Sequence, residues 1–111
     1  MSAIHYSVYR KGARSHFTQN TAMYHGGAIY IANFSEYTDS ENCSFTENNA
    51  LGNTDNLGGK GGAIFVSSSS FYSNSKYCVF RGNNATGYGG AVFISENSEY
   101  LHSPECYFER N

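Results

Sequence analysis

GGAIYIANFSEYTDSENCSFTEN, residues 26–48, decides the fold, because most of the remaining chain is the same stretch written again. Gly-Gly-Ala-Ile-Tyr-Ile at 26–31 returns as Gly-Gly-Ala-Ile-Phe-Val at 61–66 and as Gly-Gly-Ala-Val-Phe-Ile at 89–94. In each copy the first Gly stands nineteen positions before a Phe: Gly26 before Phe45, Gly61 before Phe80, Gly89 before Phe108. A second pattern, Ser-x-Tyr-x7-Phe-x-x-Asn, occurs four times, as Ser7, Tyr9, Phe17, Asn20; Ser35, Tyr37, Phe45, Asn48; Ser70, Tyr72, Phe80, Asn83; and Ser98, Tyr100, Phe108, Asn111. The period is 28 residues, lengthened once to 35 by seven extra residues between Asn48 and Gly61. Fixed spacing of this kind marks a repeat architecture, in which no single unit can bury its own apolar face.

Side-chain parity gives the physical form of the unit. Ile29, Ile31, Ser35, Tyr37, Cys43 and Phe45 can share one face of short extended segments, while Asn33, Glu36, Asp39, Ser44 and Thr46 face water. The pattern predicts an all-β chain, a parallel β-helix (solenoid) of about four 28-residue coils with three short strands each and no caps. The predicted coils are 1–20 (partial), 26–48, 61–83 and 89–111, with 51–60 as an inserted loop rich in turn-forming Gly, Asn and Asp. Stacking then sets like on like: Phe17, Phe45, Phe80 and Phe108; Tyr9, Tyr37, Tyr72 and Tyr100; Cys43, Cys78 and Cys106. The Asn column, Asn20, Asn48, Asn83 and Asn111, suits a corner where an amide can bond the next rung and where Asn can adopt a left-handed backbone.

Composition excludes several classes. With seven Lys and Arg and a formal charge of −2, the chain lacks the basic face that nucleic acid requires. No run of eighteen apolar residues is present to span a membrane as a helix. The first residues, MSAIHYSVYRKG, have no apolar core of a leader, so the leader is expected to have been removed.

Gly-Gly-Ala-Ile together with Phe-x-x-Asn resembles the paired repeat signature of the polymorphic outer membrane protein family, the surface autotransporters of chlamydiae. Related repeats occur in adhesin-like β-helix proteins of bacteria and protists and in large-virus surface proteins. The resemblance covers the whole chain and implies a right-handed parallel β-helix exposed outside the cell, used in adhesion or as surface structure. The resemblance implies that a full family member also carries a leader, a terminal cap and a membrane barrel, none of which is expected within these repeats.

Candidate chemistry is sparse. The three cysteines hold one motif position and are read as a buried thiol column, or as one disulfide with one thiol left over, although parallel side-chain vectors suit the bond poorly. No His shares their register, so no metal and no cofactor is expected. Sugar-cleaving β-helices need clustered carboxylates, but Glu36 and Glu99 are separated by Phe71 in their column, and Asp39 and Glu41 align with Asn74 and Lys76 and then with His102 and Pro104. No catalytic residue is therefore assigned, and the four His are read as surface residues.

Tyr30, Phe65 and Phe93 recur between the aliphatic positions. Either alternation turns them outward as a docking strip, or it breaks at the Gly-Gly corner and the rings are buried. Asp55 and Asn56 in the inserted loop are the other candidate contacts. Asn33, Asn42 and Asn84 match the N-glycosylation pattern, which matters for a eukaryotic secreted product. The sequence thus predicts a non-enzymatic extracellular or cell-surface scaffold, with a virion surface as one setting, in adhesion or as a fibre. It is read as a segment of a longer protein or a stacking protomer. Its expected partners are further coils or protomers end to end, and a neighbouring or host surface protein or glycan. The alternative is a carbohydrate-active β-helix.

Overall fold

A computed structural model describes residues 2–3, 8–52 and 58–111. The first coil contributes β1 (Ser2–Ala3), β2 (Val8–Arg10), β3 (His16–Thr18) and β4 (Thr21–Ala22). The second adds β5 (Ile29–Ile31), β6 (Glu36–Thr38), β7 (Ser44–Thr46) and β8 (Asn49–Ala50). The third adds β9 (Ile64–Val66), β10 (Phe71–Ser73), β11 (Val79–Arg81) and β12 (Asn84–Ala85), and the last adds β13 (Val92–Ile94), β14 (Glu99–Leu101) and β15 (Tyr107–Glu109). These strands form four parallel sheets: A (β1, β5, β9, β13), B (β2, β6, β10, β14), C (β3, β7, β11, β15) and D (β4, β8, β12). The chain is a parallel β-helix.

The register is that of the repeat. Tyr37 pairs with Tyr9 and Tyr72, Phe45 with Phe17 and Phe80, and Ile29 with Ile64. Sheet D is an addition to the three strands expected per coil. Its strands are only two residues long, and their inward Ala, as at the fully buried Ala50, leaves no periodic pattern to read.

Like-on-like stacking fills the interior. Rings in the Phe column lie 4.6–4.8 Å apart and within 4° of parallel, and rings in the Tyr column 4.8–5.0 Å apart. Such contacts add about 0.5–1.5 kcal/mol each to the burial of the ring itself. Ile29, Ile31, Tyr37, Phe45, Ile64, Val66, Tyr72 and Phe80 are all fully buried.

The polar positions form ladders where strands end and backbone donors lose their sheet partners. Asn20, Asn48 and Asn83 each direct the backbone N–H and the side-chain Nδ2 to the Oδ1 of the Asn one rung toward the C-terminus, at 2.8–3.0 Å. Serines do the same with their hydroxyls: Ser35 N–H donates to Ser70 Oγ at 3.1 Å and Ser70 N–H to Ser98 Oγ at 3.0 Å. Ser7, the first member of that column, lies outside the described residues. A third ladder was not read from the sequence: Gly12 N–H donates to Ser40 Oγ, Ser40 N–H to Ser75 Oγ, and Ser75 N–H to Ser103 Oγ, at 3.0–3.1 Å.

The corners correct one expectation. The left-handed residue is the one before the ladder Asn, namely Gln19, Glu47, Gly82 and Arg110, and Asn itself is not left-handed. The turn at the preceding residue is what swings the Asn amide inward to bond the neighbouring rung. The same holds elsewhere in each coil, where Lys11, Asp39, Asn74 and His102 share one left-handed column and Arg14, Asn42, Tyr77 and Glu105 another. Left-handed geometry costs about 1–2 kcal/mol per non-Gly residue, so stacking, and not local preference, holds these corners.

All three cysteines are free thiols, Cys43 and Cys78 buried and Cys106 half-buried. Cys43 Sγ lies 3.2 Å from the Ser40 carbonyl oxygen, Cys78 Sγ 3.4 Å from the same atom, and Cys106 Sγ 3.4 Å from that of Ser75. Contacts with the Cys106 and Cys43 thiols, and burial, push the Cys78 thiol well above the usual range. A thiol reagent is therefore expected to titrate three groups per chain in denaturant but to leave Cys43 and Cys78 unmodified in the native protein. Fewer than three in denaturant would show a bridge.

Candidate interaction surface

Each coil enters sheet A through a Gly-Gly pair, and the residue before that pair sets the surface. His25, Lys60 and Tyr88 occupy this position and bridge in register, His25 to Lys60 and Lys60 to Tyr88. The His25 and Lys60 side chains lean onto the outward aromatic of the next coil, and Tyr88 onto that of its own. The His25 ring stacks on Phe65 at 4.7 Å, the Lys60 ammonium sits 5.1 Å over the Phe93 ring, and Tyr88 tilts against Phe93 at 6.3 Å. Tyr30, Phe65 and Phe93 stack on one another at 5.1 and 5.8 Å.

Alternation does turn these rings out of the core, yet it does not bare them all. Phe65 is only 7% exposed, covered by His25 and its two ring neighbours, while Tyr30 and Phe93 are half-buried. Phe65 is thus no free contact residue. His25 is likewise half-buried, where a surface imidazole was expected. Its Nδ1 accepts the Lys60 backbone N–H at 3.2 Å. Burial, then the Lys60 charge, hold its pKa below the usual value, which keeps the ring neutral and able to accept that bond.

The exposed aromatic surface lies beside the predicted strip. Met23, Tyr24 and Tyr88 are 67%, 60% and 67% exposed, large for side chains of this type. An apolar cavity of about 430 Å³, lined by Ala22, Met23, Tyr24, His25 and Tyr30, opens at the same corner. The sequence signal was their shared place just before Gly-Gly, but residue type changes at every rung and the insertion breaks the spacing.

Asp55 and Asn56 lie outside the described residues. The base of their loop is fastened to the next coil. Gly52 and Gly58 bridge in antiparallel fashion, Gly59 N–H donates to Thr86 Oγ1 at 2.8 Å, Gly87 N–H donates to the Gly59 carbonyl at 2.8 Å, and the Thr86 hydroxyl donates to the Leu51 carbonyl. Of the glycosylation-pattern residues, Asn42 and Asn84 are exposed and Asn33 is half-buried at a left-handed corner.

The carboxylates lie elsewhere. Asp39, Glu41, Asn74, Lys76, His102 and Pro104 line a polar groove of about 260 Å³ between sheets B and C, where Lys76 pairs with Glu41 at 3.7 Å. Among the described residues, no group of three or more His, Cys, Asp or Glu is placed to hold a metal ion, and no helix is long and apolar enough to cross a membrane.

Fold and surface together define a repeat-built parallel β-helix with an exposed aromatic corner beside sheet A. The repeat model of the Chlamydia polymorphic membrane protein matches residues 15–32, 42–67 and 77–95. These segments make up more than half of the chain, which belongs to that repeat family, a family of surface-associated outer-membrane proteins and not of enzymes. No curated protein and no solved structure matches it.

Proposed function

We propose that the chain is a non-enzymatic length of surface scaffold, serving adhesion through its aromatic corner and extended by further coils of the same kind. The observation that supports this most is the direction of the Asn ladder. Each rung donates to the next through the same three atoms, backbone N, Nδ2 and Oδ1. Such a ladder has no built-in terminus, so the bonds that join one coil to the next can join a further coil or a second protomer end to end. Rigidity then comes from repetition, since each coil touches only its neighbours. The family, whose repeats belong to surface-associated proteins, supports an extracellular setting.

Incubation with polygalacturonate, alginate and chondroitin sulfate is expected to release no reducing ends above the buffer blank. Release that saturates with substrate and disappears on Lys76→Ala would overturn the scaffold reading and place chemistry in the groove of Asp39, Glu41 and Lys76.

A further inference from the structure

Charge is distributed unevenly around the solenoid. Eight of the nine acidic residues fall within 36–47 and 96–109, along sheets B and C and their turns, and the ninth, Asp55, is in the insertion outside the described residues. The corner made of sheet D, the connection before each Gly-Gly pair and the outer face of sheet A is different. Its segments, 20–34, 48–52, 58–66 and 83–95, contain no Asp or Glu and one Lys or Arg, Lys60. Among the described residues Lys60 joins no ion pair, and its ammonium rests on the Phe93 ring.

Tyrosines stand on the rungs either side of Lys60. Tyr24 precedes His25, and Tyr88 stands two rungs above His25 with Lys60 on the rung between. At about 4.8 Å per rung, the backbones that carry Tyr24, Lys60 and Tyr88 follow one another over roughly 10 Å. Both rings are mostly open to solvent, so each offers an apolar face and a hydroxyl to one ligand. The cavity of about 430 Å³ at the Tyr24 end is within the range of ligand sites.

We propose that this corner binds an acidic polysaccharide, with sugar rings against Tyr24 and Tyr88 and a carboxylate or sulfate on Lys60. The proposal rests on the non-enzymatic surface reading above and names its partner class. Among the described residues this corner has a cation and no carboxylate, which fits an anionic polymer, and an extended chain fits a row of contacts parallel to the solenoid axis. A lipid surface fits less well, because anionic membranes hold proteins through several cations together, and this corner has one.

Titration calorimetry with polygalacturonate and chondroitin sulfate tests it, with dextran as the neutral polymer and phosphatidylcholine vesicles carrying phosphatidylserine as the lipid arm. Binding is expected to the two acidic polymers and not to dextran or vesicles. Lys60→Gln should weaken it about fivefold and Lys60→Arg restore it. Tyr24→Ala and Tyr88→Ala should each weaken it about tenfold, while unfolding midpoints stay within error of the parent because both side chains are exposed. Absence of binding to either acidic polymer, equal binding to dextran, vesicle binding in their place, or affinity unchanged in K60Q and in Y24A/Y88A overturns the proposal. Shortening of the polymer during titration would instead overturn the scaffold reading beneath it; polymer left intact and unbound overturns this proposal alone.

Discussion

Asn83→Ala lowers the stability of the chain by about 3–6 kcal/mol, measured by urea unfolding, whereas Asn84→Ala one position on changes it by less than about 0.5 kcal/mol. The two residues are chemically identical and differ only in direction. Asn83 is 1% exposed and its Oδ1 accepts both the backbone N–H and the Nδ2 of Asn48, at 3.0 and 2.9 Å. Its own Nδ2 donates to the Phe45 carbonyl and to Asn111 Oδ1 at 2.9 and 2.8 Å. Alanine leaves two buried donors of Asn48 without an acceptor and takes one donor from the Phe45 carbonyl. Each orphaned buried group costs about 1–3 kcal/mol, a large share of the roughly 5–15 kcal/mol that holds a domain together. Asn84 is exposed, and the bond that fixes it, backbone N–H to the Asn48 carbonyl at 2.8 Å, survives the substitution. Asn83→Asp separates acceptor from donor: it keeps the oxygen for Asn48 but sets a carboxylate against the Phe45 carbonyl and Asn111 Oδ1. The loss should be at least as large at neutral pH and shrink as pH falls through the raised carboxyl pKa. An N83A protein no less stable than N84A would remove the ladder from any account of the fold.

The contrast between Asn83 and Asn84 also marks what was legible in the sequence. Positions whose side chains fill the interior keep their identity, because a ring or amide stacked on its own kind tolerates little else, and so the Phe, Tyr and Asn columns could be read by spacing alone. Corner conformation could not. Lys11, Asp39, Asn74 and His102 share one left-handed corner with no shared chemistry, since the neighbouring coil imposes the turn. The Ser40, Ser75 and Ser103 ladder was hidden by the abundance of serine, and sheet D by strands two residues long. The aromatic corner was half legible. Parity identified Tyr30, Phe65 and Phe93 as outward, but which of them stay open depends on His25 and Lys60, whose lean across the strip is a tertiary fact. Exposure had therefore moved to Tyr24 and Tyr88, where residue type varies from coil to coil.

Gly62→Ala is expected to abolish the cooperative fold, seen as loss of the β circular-dichroism signal and of a thermal transition. A Cβ at Gly62 would stand 2.0 Å from the Gly90 carbonyl oxygen and 2.6 Å from both N and O of Asn84. All three atoms are backbone, from two later places in the same chain, so no side-chain rotation can relieve the clash. Overpacking against movable side chains costs about 1–3 kcal/mol; here the rungs themselves must part, and the bond from the Asn84 backbone N–H to the Asn48 carbonyl with them. Gly27 meets the same obstacle one coil earlier, 2.1 Å from the Gly62 carbonyl oxygen, so the second Gly of the pair is where successive coils pass closest. Gly82→Ala is the control. Gly82 has φ of 61° but only Glu47 Cγ near, at 3.5 Å, so alanine there costs about 1–2 kcal/mol of left-handed backbone and keeps the fold. Equal stability of G62A and G82A would mean that backbone conformation, and not coil-to-coil approach, explains the Gly-Gly motif. The same geometry accounts for the place of the insertion. The seven extra residues lie between Asn48 and Gly61, after the last ladder amide and before the close approach, in the part of the coil where added chain displaces no stacked ring and parts no pair of rungs.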